Sequence, residues 1–217
     1  MFQNNKPVIA IDGTAGSGKG TLAKKLAEIL NYDHLDSGLL YRILAYEFLN
    51  VNKDLKKLTK VDIDLNIFLY KKKIKKMNLR SSEITKISSE IAKLKFVRHK
   101  LISLQRKFAN FPPNGIGSVI DGRDITSVIT PHAEIKFYID ADVKIRAKRR
   151  LLQLDLPKTN YNKVLEELIQ RDLQDKSRKI SPLIQTEDSH YINASKLNES
   201  EVLEKAINFI KKKTDII

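Results

Sequence analysis

The chain has 217 residues, 41% of them apolar, enough for one domain with insertions or at most two small domains. It contains no cysteine, which excludes disulfides, thiolate metal sites and cysteine nucleophiles and fits a reducing compartment. A formal net charge of +14 points to an anionic partner, for which nucleic acid, an acidic membrane and nucleotides all qualify. Lysine supplies most of that charge, in runs such as 71–73, 75–76 and 211–213 that read as solvated faces or tails. The 10 arginines are therefore the informative cations, because their planar fork suits bidentate phosphate and base contacts that lysine cannot make. His34, His99, His132 and His190 show no metal-ligand spacing, so no side chain is expected to ligate a metal. No apolar run approaches the ~18 residues of a membrane span. The N-terminus lacks a basic-then-apolar signal, and the expectation is a cytoplasmic protein without a membrane partner.

Val8 to Ile11 is an apolar run of strand length. Gly13, Gly16 and Gly18 follow, then Lys19, then a helical stripe of Leu22, Ala23, Leu26, Ala27 and Leu30. Strand, glycine loop, lysine, helix is the order of a phosphate-cradling P-loop. Glycines let the backbone wrap an anion, the loop N–H groups and helix N-terminus point at it, and Lys19 reaches the β- and γ-phosphates. The dinucleotide pattern G-x-G-x-x-G fails, since its last position, counted from Gly16, is Thr21. Gly20 stands where that loop usually carries a magnesium-binding Ser or Thr. The Gly-Lys-Gly-Thr variant resembles the loop of nucleoside monophosphate kinases, and Mg²⁺ would then be held mainly by phosphates and water.

After the first helix, Tyr32 to Gly38 reads as a short strand running into a turn, and Leu39 to Leu49 as an apolar-rich helix. The stretch Leu35-Asp36-Ser37-Gly38-Leu39-Leu40-Tyr41-Arg42 resembles an element of the bacterial cytidylate kinases, which phosphorylate CMP or dCMP from ATP. Val51 to Lys95 changes character, with more lysine and asparagine and no glycine or proline. Asp62 to Tyr70 alternates as a half-exposed strand would. Ser81 to Lys95 has helical spacing at Ile84, Ile87, Ile91 and Leu94, with Ser81 or Ser82 as cap. Phe96 to Phe108 continues as a helix with Arg98 and Arg106, and is similar to the family's Val-Arg-x-x-Leu-x-x-x-Gln-Arg-x-Phe helix.

Pro112 to Gly115 is a loop. Ile116 to Ile120 is an apolar strand leading into Asp121-Gly122-Arg123-Asp124, a place where open α/β sheets put their chemistry. This too resembles the family. Ile135 to Ile139 is a further strand. Helices are expected over Val143 to Leu154, bearing Arg146, Arg149 and Arg150, and over Val164 to Gln174, with a loop at Asp155 to Tyr161. The arginines at 146–150 sit among lysines and read as an exposed face. The segment from Arg171 to Leu183 is similar to the family's Arg-Asp-x-x-Asp-x-x-Arg-x-x-x-Pro-Leu. Tyr191 to Asn193 is a last strand. A terminal helix begins near Asn198, with Glu201 placed for a capping box.

The alternation of strands and helices predicts an α/β protein with a parallel sheet flanked by helices. The resemblance implies a single P-loop domain with core 1–50, 96–145 and 180–217, a monophosphate-binding insertion at about 51–95 and a helical lid at about 146–179. It implies ATP and Mg²⁺ as cosubstrate and cofactor. Gly13, Thr14, Ala15, Gly16, Ser17, Gly18, Lys19, Gly20, Thr21 and Arg149 would hold ATP. Ser37, Arg42, Ser89, Arg98, Arg106, Arg123, Asp124, Arg171, Asp175 and Arg178 would hold CMP. Lys19, Arg123, Arg171 and Arg178 would act on the transferring group, and the protein is expected to be monomeric. The rival readings are a kinase for UMP or AMP and a basic nucleic-acid-binding module. The second has no helix-turn-helix, zinc-finger or ribonucleoprotein signature behind it.

Overall fold

A computed structural model describes residues 6–51, 79 and 81–216. Val8–Gly13 forms β1, buried along its whole length, as an apolar run at the middle of a parallel sheet must be. The other strands are β2 (Asp33–Asp36), β3 (Ser118–Gly122), β4 (Ile135–Asp140) and β5 (His190–Asn193), and the sheet order is β2-β3-β1-β4-β5. β1 runs parallel to β3 and β4, and β4 parallel to β5. The predicted sheet is therefore present. β3 starts two residues later than expected, because Gly117 instead gives its carbonyl to Asp33 N at 2.9 Å.

Two compact units divide the chain: Met1–Leu35 with Lys107–Ile217, and Asp36–Arg106. In the first, α1 (Lys19–Leu30) and α7 (Glu199–Lys213) cover the sheet. Ile9, Ile11, Leu22, Leu26, Phe137, Ile139, Val202 and Ile210 form its core. Each such side chain stabilises the fold by roughly 1.5–3 kcal/mol. The capping box of α7 forms as expected: the Asn198 side chain accepts from Glu201 N at 3.0 Å, and Glu201 Oε2 accepts from Asn198 N at 2.7 Å. The second unit holds α2 (Ser37–Val51), α3 (Ser82–Ile91) and most of α4 (Lys95–Asn110), with Leu40, Ile43, Ile84, Ile91, Val97 and Leu101 buried. Ser81 caps α3, accepting from Ile84 N at 3.3 Å.

The helix expected to run unbroken through residues 81–95 breaks at 92–94. There Lys93 N and Leu94 N turn back to the carbonyls three residues earlier, and Arg98 Nε draws the Ala92 carbonyl out of the ladder at 2.6 Å. The strand expected at Asp62 to Tyr70 lies outside the described residues. Past β3, residues Ile125–Ile129 form one π-helical turn that the periodicity does not reveal. Finally, α5 (Val143–Gln153) and α6 (Tyr161–Ser177) form a hairpin of helices. It has its own small core of Ala147, Leu151, Val164 and Leu168, and Ala15 of the glycine loop packs into it.

Candidate active site

The glycine loop leaves the C-terminal end of β1. At Gly13 a side chain is impossible, since an added Cβ would meet the Ile139 carbonyl oxygen at 2.0 Å. Gly18 takes φ 95° as the N-cap of α1, a left-handed conformation that glycine adopts without strain. Thr14 Oγ1 donates to Asp140 Oδ1 at 2.6 Å, tying the loop to the end of β4. Lys19 arcs back over the loop, and its Nζ donates to the Thr14 carbonyl at 3.1 Å. Ser17 Oγ is buried inside the loop and has no hydrogen-bond partner among the described residues.

The helical hairpin reaches the same loop. Arg146 Nη1 lies 2.7 Å from Asp172 Oδ2, and both side chains are shielded from solvent. Arg146 was expected on an exposed face; it is instead one of the buried cations of the molecule. Its Nη1 donates to the Ala15 carbonyl at 3.0 Å and its Nε to the Ala141 carbonyl at 2.7 Å. Asp172 Oδ1 accepts the Ala15 N–H at 3.3 Å. Arg149 donates to the carbonyls of Ala194 (2.7 Å) and Leu197 (3.1 Å), in the loop between β5 and α7.

Charge gathers at the end of β3. Asp121 is buried, with Oδ1 2.8 Å from His34 Nε2. Arg123 Nε donates to Asp175 Oδ2 at 2.7 Å, and Arg178 donates to Asp175 Oδ1 at 3.4 Å and to the Ser181 carbonyl at 2.5 Å. Burial alone would push the Asp175 carboxyl up, but the guanidinium groups of Arg123, Arg171 and Arg178 outweigh it and hold it below the ordinary carboxylate value. Asp12 has the opposite balance. Burial pushes it up to about 6, although its carboxylate accepts from Ile125 N at 3.0 Å, Thr126 N at 2.8 Å and Thr126 Oγ1 at 2.7 Å. Those three bonds start the π-helical turn, and Asp124, also buried, stands at its head.

In the second unit, Asp36 Oδ1 accepts from Leu39 N at 3.0 Å and so starts α2, while Asp36 Oδ2 holds Arg42 at 2.7 Å. Ser37 is buried in that first turn. Arg98 is almost wholly buried, with its guanidinium 5.8 Å from the centre of the Tyr41 ring. Ser89 Oγ donates to the Thr85 carbonyl at 3.1 Å, and Arg106 is exposed on α4.

The site residues named from sequence thus fall into two sets. The first unit groups the glycine loop, Lys19, Arg123, Asp124, Arg171, Asp175 and Arg178; the second holds Ser37, Arg42, Ser89, Arg98 and Arg106. Sequence reasoning assigned no site role to Asp12, His34, Asp121, Asp140, Arg146 and Asp172. One signal was available for Asp172: it precedes Asp175 by three residues in a helix, which places the two carboxylates on one face. Among the described residues no group of three His, Cys, Asp or Glu side chains could hold a metal ion.

A phosphate loop at the end of the central strand, a lysine folded over it and arginines at the neighbouring strand end define a P-loop phosphotransferase. The family model described as cytidylate kinase matches residues 9–212. Cytidylate kinases from Bartonella tribocorum and Bartonella bacilliformis are 43% and 41% identical over 211 and 214 residues, covering 94% and 95% of both chains. That of Mycoplasma capricolum is 34% identical, covering 94% of this chain and 95% of its own. An uncharacterised protein of known structure from Eubacterium ventriosum shares the fold, with a TM-score of 0.56 at 18% identity over 95% of this chain and 99% of that one. The chain belongs to the cytidylate kinase family.

Proposed function

We propose that the protein transfers the γ-phosphate of ATP to CMP or dCMP, giving ADP and CDP or dCDP. The family match along almost the whole chain carries this reading. The acceptor is already an anion, so the reaction needs no strong base. It needs cations that hold two phosphate groups in line while charge moves between them.

Gly13 to Thr21 cradle the donor phosphates, Lys19 neutralises the transferring group, and Arg149 supports ATP binding from α5. Arg42 and Arg123 hold the acceptor phosphate, with Arg171 and Arg178 assisting from α6. Ser37, Ser89, Arg98, Arg106, Asp124 and Asp175 complete the CMP site. Residues 51–95 form the monophosphate-binding insertion and 146–179 the lid, which excludes water that would otherwise take the phosphoryl group.

Mg²⁺ with ATP is the cofactor of this reading, and it neutralises charge on the phosphates. The residues fit such an ion. A Cβ added at Gly20 would lie 3.5 Å from Asp121 Oδ2, so a carboxylate faces the loop at the place where a Ser or Thr side chain is missing. Asp121 would hold the ion together with phosphate oxygens and water.

The protein works as a cytoplasmic monomer, and its positive charge serves nucleotides rather than nucleic acid. No helix among the described residues is long and apolar enough to cross a membrane.

Coupled ADP-release assays across CMP, dCMP, UMP and AMP test the reading. CMP and dCMP should give the highest kcat/KM; a preference for AMP or UMP would reassign the acceptor. Sequence-specific nucleic-acid binding that survives ~0.2 M salt would argue for the rival module.

A further inference from the structure

We propose that Asp172 is a positioning residue for the donor loop, acting through Ala15 with Arg146 as its counterion. The inference rests on reading Gly13 to Thr21 as the ATP site. Asp172 Oδ1 accepts the Ala15 N–H, and Arg146 Nη1 donates to the Ala15 carbonyl. One ion pair therefore grips both polar groups of a single loop residue. The Ala15 side chain is held as well, in the apolar core of the hairpin with Ala147, Leu151, Val164 and Leu168.

Ala15 is where such a grip matters. It stands between Gly13 and the left-handed Gly16 and Gly18, whose φ values are 75° and 95°. Glycines give this loop its shape and also its conformational freedom. A loop that must present its N–H groups to a triphosphate gains affinity when that freedom is removed before binding. The pair does this without adding net charge. A lone carboxylate here would repel phosphate, and Arg146 cancels it.

Stability alone is a weak reason for keeping such a pair. Buried ion pairs can often be replaced by packed apolar side chains at no loss of stability. What apolar replacements cannot do is hold a peptide N–H and a carbonyl at once.

The position on α6 adds a second consequence. Asp172 engages the donor loop, and Asp175, three residues on, engages Arg123 at the end of β3. One turn of helix thus fixes the glycine loop relative to the arginine assigned to the acceptor phosphate.

The test uses the full chain and three measurements: urea unfolding, calorimetric titration with ATP alone, and calorimetric titration with CMP alone. The double variant Arg146→Met/Asp172→Leu removes both charges and keeps the bulk. It should unfold at a urea concentration close to that of the wild type and bind CMP as well. Its Kd for ATP should rise about tenfold. A folded double variant whose ATP Kd stays within about twofold of wild type overturns the proposal, because the pair would then be structural only. If the double variant does not fold, Arg146→Gln/Asp172→Ala decides by the same titration, since it stays net-neutral, removes the acceptor for the Ala15 N–H and keeps a side-chain donor at position 146. A severalfold weaker ATP affinity with unchanged CMP affinity supports the positioning role, and an unchanged ATP affinity overturns it. Wild-type protein that fails to bind ATP would instead remove the ATP-site reading on which the inference rests.

Discussion

Asp175 Oδ2 accepts the Nε–H of Arg123 at 2.7 Å, joining the last turn of α6 to the end of β3 across 52 residues of chain. Both side chains are mostly shielded from solvent, and Asp175 also faces Arg178. Removing the carboxylate leaves the buried guanidinium groups of Arg123 and Arg178 without it. Asp175→Ala should therefore destabilise the protein at neutral pH by about 3–5 kcal/mol. The Asp175 carboxyl is held low, so its contribution is present above its unfolded pKa and is lost as pH falls through the folded one. The difference in unfolding free energy between wild type and variant should shrink on acidification. A neutral-pH loss below ~1 kcal/mol, the range of exposed pairs, would mean that the two groups do not pair in solution.

Asp12 should give the opposite pH dependence. Its folded carboxyl is pushed up to about 6, chiefly by complete burial. The folded state therefore binds the proton more tightly than the unfolded chain does. The stability this confers is full below the unfolded pKa of about 3.9 and is lost as pH rises through about 6, on the order of 3 kcal/mol in all. Asp12→Asn does not titrate. Urea midpoints measured from pH 4 to 7 should show the wild type losing ground against this variant as pH rises, with no further change above the window. A difference that is constant or grows with pH would show that the three hydrogen bonds from Ile125 and Thr126 dominate over burial.

These two carboxylates also mark what could be read in the sequence. The glycine loop was legible because its signal is local: three glycines, a lysine and a helical stripe, all between Gly13 and Leu30. The Asn198–Glu201 capping box and the Ser81 cap were legible for the same reason. Asp12 was not, because its donors lie 113 and 114 residues away and nothing near it in sequence announces them. Arg146 was misread because its neighbours Lys144 and Lys148 suggest a solvated helix, while only the facing α6 decides which residues of that helix are covered. The break between α3 and α4 was missed since Leu94 continues the apolar spacing; what ends the helix is Arg98 taking the Ala92 carbonyl.

Lys19 folds over the loop, and its Nζ donates to the Thr14 carbonyl at 3.1 Å. On the proposed mechanism its charge would meet negative charge that develops on the transferring phosphoryl group. Lys19→Ala should cut kcat by roughly a hundredfold to a thousandfold or more, as loss of such stabilisation does elsewhere. The unfolding midpoint should barely move. Single-turnover kinetics at saturating ATP and CMP would separate the chemical step from binding, and near-wild-type turnover would take Lys19 out of the mechanism.

Asp124 bears on the choice of base. It stands buried at the head of the π-helical turn, next to Arg123. Cytosine offers a donor at N4 and acceptors at N3 and O2, so a carboxylate suits N4 and an arginine suits N3 and O2. On the proposed reading Asp124 would take the first role. On that reading Arg106, exposed on α4, and Ser89 would serve the base, and Arg98 the phosphate side. Uracil places an acceptor, O4, where cytosine has N4, and an acceptor facing a carboxylate is both unpaired and repelled. That contrast should favour CMP by roughly 1–3 kcal/mol, or about tenfold to more than a hundredfold in kcat/KM. Asp124→Ala should lower the efficiency for CMP far more than that for UMP, and so narrow the ratio between them. Measured kcat/KM values for both substrates, in both proteins, decide the matter. If the variant loses the two in equal proportion, Asp124 serves the phosphates or the fold, and selection of the base lies with other residues.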